Sequence, residues 1–75
     1  MPNLAVAVEG RQYMVKGLSG DSRFLSRITS VGLTVGGVLR VVRNAKRMPV
    51  LVYARDTMLA IDKKEAANIQ VEVSE

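Results

Sequence analysis

The sequence contains no cysteine, no histidine and no tryptophan, and only one phenylalanine and two tyrosines. Without cysteine no disulfide can staple the fold, which fits a reducing compartment. Without histidine a zinc staple of the usual kind is excluded. The same absences remove the Cys–His and Ser–His pairs of nucleophilic catalysis. Ser19, Ser22, Ser26, Ser30 and Ser74 have no base to activate them. Lys16, Lys46, Lys63 and Lys64 fall at positions that read as wet, where an amine is not tuned into a nucleophile. No glycine-rich loop ends in Gly-Lys-Ser/Thr, so nucleotide hydrolysis is not expected. The run Gly17-Leu18-Ser19-Gly20 could aim N–H groups at an anion, but Asp21 would repel it. No apolar run approaches the roughly 20 residues of a membrane-spanning helix. Met1-Pro2-Asn3 gives no basic leader, and no long apolar stretch follows, so the chain reads as cytoplasmic.

Metal ligation is equally thin. Asp62 and Glu65 are the only close acidic pair, and they read better as a helix cap than as ligands. Met1, Met14, Met48 and Met58 are scattered and read as filler or loop residues. No cofactor, no metal site and no catalytic residue is expected.

What is present is an economical apolar core. The 75 residues make one domain, 1–75, with 48% apolar residues. A chain this short buries only about 60% of its unfolded surface, so a partner or self-association as a homo-oligomer would help it. The net charge is +4. Arg40, Arg43, Lys46 and Arg47 lie within eight residues that contain no acid. That cluster suits nucleic acid, anionic lipid or an acidic protein face. It equally suits a solvated loop that keeps strand ends from aggregating. No aromatic residue lies within the cluster to stack a base, which favours the solvated loop.

The stretch Ser22–Gly37 organises the chain. Phe24, Leu25, Ile28 and Val31 recur at helical spacing, with Arg23, Ser26, Arg27 and Ser30 mostly on the other side. Asp21 or Ser22 can cap the first turn. Gly32 suits the C′ position, which makes Leu33 C″ and Ile28 C3 of a Schellman ending. Thr34-Val35-Gly36-Gly37 suits a type II turn with Gly36 at the position of positive φ.

Short strands flank this helix. Leu4, Val6 and Val8 alternate as a weak strand, and Arg11–Lys16 is the first firm one. Val38–Arg43 follows the turn, with Leu39 and Val41 inward and Arg40 outward. Being apolar on much of both sides, it suits a strand bent around a small barrel. Asn44–Pro49 is a loop. Val50–Ala54 and Thr57–Ile61 pair through Arg55-Asp56, although no glycine stands in that turn. Asp62 and Glu65 form an acidic capping box for a single helical turn. Ile69–Val73 ends the chain as a strand with Ile69, Val71 and Val73 inward. A small, partly open barrel would add this last strand beside Tyr13–Lys16.

The ordered set of features resembles the FeoA family of ferrous iron uptake. It comprises Gly10, Tyr13 and Gly17, then Phe24-Leu25-Ser26-Arg27-Ile28, Val31-Gly32-Leu33 and the Gly36 turn. Leu39-Arg40-Val41-Val42-Arg43, Pro49-Val50, Lys64-Glu65-Ala66 and Ile69-Gln70-Val71-Glu72 follow. The resemblance runs from about Leu4 to Glu72. It implies a mainly β fold: a small SH3-like barrel of five to six strands with one inserted α-helix and a short helical turn before the last strand. It also implies an accessory protein without enzymatic activity, which binds the membrane transporter FeoB at its cytoplasmic G-protein domain and reaches the membrane only through it. The surface expected to meet that partner is the outer helix face with the Asn44–Met48 loop, namely Arg23, Arg27, Ser30, Arg43, Lys46, Arg47 and Met48. Gly32, Leu33, Gly36, Asp62 and Glu65 would shape the scaffold. The alternative is a small nucleic-acid-binding barrel using Arg40–Arg47.

The chain departs from the family at three places. Val35 stands where relatives carry proline before the turn glycine. Ala60-Ile61-Asp62 stands where Leu-Arg is usual, which favours capping by Asp62. Arg55-Asp56 stands where the hairpin often has glycine.

Overall fold

A computed structural model describes residues 2–74. Five strands form one antiparallel sheet: β1 (Gln12–Leu18), β2 (Val38–Arg43), β3 (Val50–Ala54), β4 (Thr57–Ile61) and β5 (Ile69–Val73). Helix α1 (Ser22–Ser30) lies between β1 and β2, and the single turn α2 (Lys63–Ala66) between β4 and β5. The spatial order is β4-β3-β2-β1-β5. The last strand does add to the first, with Tyr13 opposite Val73 and Val15 opposite Val71. No ladder joins β4 to β5, so the barrel stays open between them.

Strand alternation builds the core. Tyr13, Val15, Leu39, Val41, Val50, Val52, Ile69 and Val71 all point inward and are buried. Phe24 and Ile28 of α1, with Leu33 just beyond it, join the same core. Each fully buried aliphatic side chain of this kind contributes about 1.5–3 kcal/mol, so the helix is held by its inward face more than by propensity. Val42 falls in a bulge of β2, between the pairs Val41–Val52 and Arg43–Leu51. A bulge bends its strand, and Val42 is left exposed.

Both ends of α1 are fixed locally. The Asp21 carboxylate accepts from the Phe24 N–H at 2.8 Å. At the other end the Leu33 N–H donates to the Ile28 carbonyl (3.1 Å) and the Gly32 N–H to that of Thr29 (3.0 Å), with Gly32 at φ 99°. Those two bonds make a Schellman ending. Gly36, at φ 90°, turns the chain into β2, and the Gly37 N–H returns to the Thr34 carbonyl at 2.9 Å.

Five expectations need correcting. Leu4–Val6 is a short 3-10 turn rather than strand. The Asn3 side chain accepts from the Ala5 N–H (2.9 Å) and so competes with a ladder. Residues three apart share a face in such a turn. Leu4 and Ala7 are therefore buried, while Val6 is 69% exposed. The first firm strand runs on to Leu18, through a bulge between Val15 and Gly17, because β5 continues to pair with it. Val31 is not part of the core: it caps the helix with a non-helical ψ of 3° and is 39% exposed. Val73 is exposed as well, at the end of β5 where the core has tapered off. Lys63, read as wet, is half-buried, and its amine serves two loop carbonyls.

Candidate functional site

The sequence at Arg55-Asp56 forces a turn with both residues at positive φ, 52° and 60°. Such a turn matches the twist of a hairpin and keeps β4 in register with β3 from Val50–Ile61 to Ala54–Thr57. It is held from two sides. The Tyr53 hydroxyl reaches the Asp56 carboxylate at 3.3 Å. The Arg55 stem lies where a side chain on Gly32 would stand: a Cβ there would come within 2.8 Å of Arg55 Cδ. The hairpin tip therefore rests on the exit of α1, and residues of α1 and β4 line a common groove.

Between them lies a groove of about 420 Å³. Ile28 and Val31 form one wall, and Leu59, Ala60 and Ile61 the other. Arg27, Asp62, Glu65 and Pro49 complete it at the α2 side. Arg27 is ion-paired with Glu65, and its guanidinium lies 5.8 Å from the centre of the Phe24 ring. Glu65 thus turns to α1 and does not reach back to close a capping box. Asp62 still caps the turn, weakly, accepting from the Lys64 N–H at 3.4 Å.

The loop after β2 is bolted to this corner. Lys63 Nζ donates to the carbonyls of Ala45 (2.7 Å) and Met48 (3.0 Å). The Asn44 side-chain amide donates to the carbonyls of Ala5 (3.1 Å) and Ala7 (2.8 Å), and its backbone N–H to Glu9 (2.7 Å). Arg47 turns the loop at φ 63°.

The residues expected to form a contact surface are thus only partly assembled. Arg27 lines the groove but is engaged with Glu65. Arg23 is exposed on α1, and the Ser30 hydroxyl bonds back to the Arg27 carbonyl at 2.9 Å. Arg43, Lys46, Arg47 and Met48 are exposed around the loop, outside the groove lining. Arg40 is drawn away from them, donating to the Gly10 carbonyl at 2.9 Å. Sequence reading missed Val31, Leu59, Ala60 and Pro49 as one surface. The available signal was Val31 itself, an apolar residue at the helix C-cap just ahead of Gly32.

Among the described residues, no three His, Cys, Asp or Glu side chains come together in a way that could hold a metal ion. What the corner offers is an apolar slot with charges at one end, which suits recognition of another molecule.

The fold and this site define a small SH3-like domain. Similarity to known proteins narrows the class. The profile of the FeoA domain matches residues 3–73, and the chain belongs to the FeoA family. It is 33% identical over 72 residues to a protein of Methanocaldococcus jannaschii named "Putative Fe(2+) transport protein A", covering 96% of this chain and 87% of that one. Among solved structures it resembles the FeoA protein of Chlorobium tepidum, with TM-score 0.88 and 25% identity, over 96% of this chain and 70% of that one. It also resembles a zinc-complexed FeoA of Stenotrophomonas maltophilia, described as a prokaryotic SH3 domain protein, with TM-score 0.83 and 19% identity. That match covers 96% of this chain and 91% of the other.

Proposed function

We propose that this protein is a cytoplasmic accessory factor of ferrous iron uptake that acts by binding the cytoplasmic G-protein domain of FeoB. Membership of the FeoA family carries the reading, and the slot between α1 and β4 supports it by offering a place for a protein partner. A bound accessory shifts a nucleotide switch only if it contacts the switch states unequally. The outer cations Arg23, Arg43, Lys46 and Arg47 then steer an acidic partner face toward the slot, with Met48 as an exposed apolar contact beside them. The nucleic-acid alternative loses ground because Arg40 is tied to Gly10, and Tyr53, its neighbour on β3, turns its hydroxyl to Asp56.

The test is calorimetric titration with the FeoB cytoplasmic domain loaded with GDP or with a non-hydrolysable GTP analogue. Binding that differs between the two states is expected. Absence of binding to both overturns the reading.

A further inference from the structure

Edge strands are usually blunted by charge, proline, a bulge or a covering segment. The two edges of this sheet differ in that respect. The outer edge of β5 is covered: Asn3 bridges Gln70, and the Val71 N–H donates to the Pro2 carbonyl at 3.0 Å. β4 reads Thr-Met-Leu-Ala-Ile, with no charge, no proline and no bulge in its register. The two-residue turn makes Ala54–Thr57 a hydrogen-bonded pair. Alternation then places Met58 and Ala60 at non-hydrogen-bonded positions. Their N–H and C=O groups point away from β3, and no described residue pairs with them.

The slot starts at this bare edge. Leu59, Ala60 and Ile61 are its wall on one side, and Ile28 and Val31 of α1 face them. Unpaired backbone and apolar lining therefore coincide. We infer that the slot takes an extended segment of a protein partner, which adds to β4 as a further strand. The inference rests on the reading that this chain works by binding a protein. Backbone bonds to Met58 and Ala60 hold the segment, and its alternate side chains enter between Val31 and Leu59. Charge selects the residue at one end of the segment. Glu65 is neutralised by Arg27, but the Asp62 carboxylate stays exposed at the Ile61 end. An antiparallel segment accordingly begins with Lys or Arg at that end. A single strand matches a slot walled by Ile28 and Val31 on one side and Leu59, Ala60 and Ile61 on the other, and a second copy is an outcome of the test below.

The probe is the capped peptide Lys-Val-Thr-Val-Thr-Val, titrated into isotope-labelled protein while backbone amide exchange is followed by NMR. At saturation the Met58 and Ala60 amides should exchange about tenfold more slowly. Ala60→Pro removes one outward donor and leaves the β3 ladder intact, since an edge strand tolerates proline where its N–H faces outward. It should abolish the protection at Met58. Val31→Glu, on the opposite wall at an exposed position, should do the same and serves if the proline variant does not fold. Unchanged exchange at Met58 and Ala60 with peptide overturns the inference. A FeoB domain that binds and leaves those amides unprotected also overturns it and leaves the FeoB reading standing. Protection by peptide without any binding of FeoB supports the strand site and removes FeoB as its partner. Protection that grows with protein concentration alone assigns the edge to a second copy and overturns a partner segment.

Discussion

Arg27 on α1 is ion-paired with Glu65 on α2, 38 residues further along the chain, across one end of the slot. The two side chains remain 56% and 32% exposed, so water screens the pair. Pairs of this kind contribute about 0.2–1 kcal/mol. The pair matters more for its placement, because it takes the Glu65 carboxylate out of the slot's charge balance and leaves Asp62 alone there.

A double-mutant cycle with Arg27→Ala and Glu65→Gln measures that pair. Urea unfolding should give a coupling of about 0.2–1 kcal/mol that shrinks as salt is raised. Arg27→Ala also uncovers the Phe24 ring. The single arginine variant should therefore cost more than Glu65→Gln. A coupling well above this range would show the pair to be shielded from solvent.

The Schellman exit of α1 sets the second prediction. Gly32 sits at φ 99°, where a Cβ is disfavoured, so Gly32→Ala should cost about 1–2 kcal/mol of stability. Crowding against the Arg55 stem adds little, because that side chain can swing aside. Leu33→Ala removes a fully buried side chain and should cost about 2–5 kcal/mol. Denaturant midpoints that place Gly32→Ala as the worse of the two would contradict this ranking.

The hairpin offers a stabilising change. Asp56 occupies the left-handed region at φ 60°, a position that glycine takes without strain. Relief of that strain should raise stability by up to about 1 kcal/mol in Asp56→Gly, offset in part by glycine's greater backbone entropy and by loss of the long Tyr53–Asp56 hydrogen bond. A lower thermal midpoint would mean that the bond and the added chain entropy together outweigh the backbone strain.

These residues also show why some of the molecule was legible in the sequence and some was not. β2, β3, β4 and β5 follow from alternation bounded by turn residues, and α1 with its Gly32 exit follows from helical spacing and left-handed glycine chemistry. The family's fold was legible from the same ordered set. What escaped depends on contacts between distant segments. Leu4–Val8 alternates like a strand, but Asn3 captures the Ala5 N–H and winds it into a turn. Lys63 and Glu65 read as surface charges, yet Ala45, Met48 and Arg27 claim them. The slot itself joins α1 to β4, and a pattern within either element alone does not reveal it.

Asn44 provides the most discriminating test of the N-terminal anchor. Its amide nitrogen donates to the Ala5 and Ala7 carbonyls, and its Oδ1 is buried with no hydrogen-bond partner among the described residues. Asn44→Ala leaves those two carbonyls without their donor and should cost about 1–3 kcal/mol. Asn44→Asp is similar in shape but sets a carboxylate against both carbonyls in a place where one oxygen is already unpaired. It should be the more damaging variant at neutral pH. Repulsion and burial would raise the carboxyl pKa in the folded state above its unfolded value of about 3.9. The folded state then binds the proton more tightly, so the deficit relative to the parent grows as pH rises from about 4 through the raised pKa, and shrinks again on acidification. Urea unfolding of both proteins between about pH 4 and pH 8 measures it. A stability gap that does not change with pH would mean that the side chain swings out to water and that the anchor is looser than its three hydrogen bonds indicate.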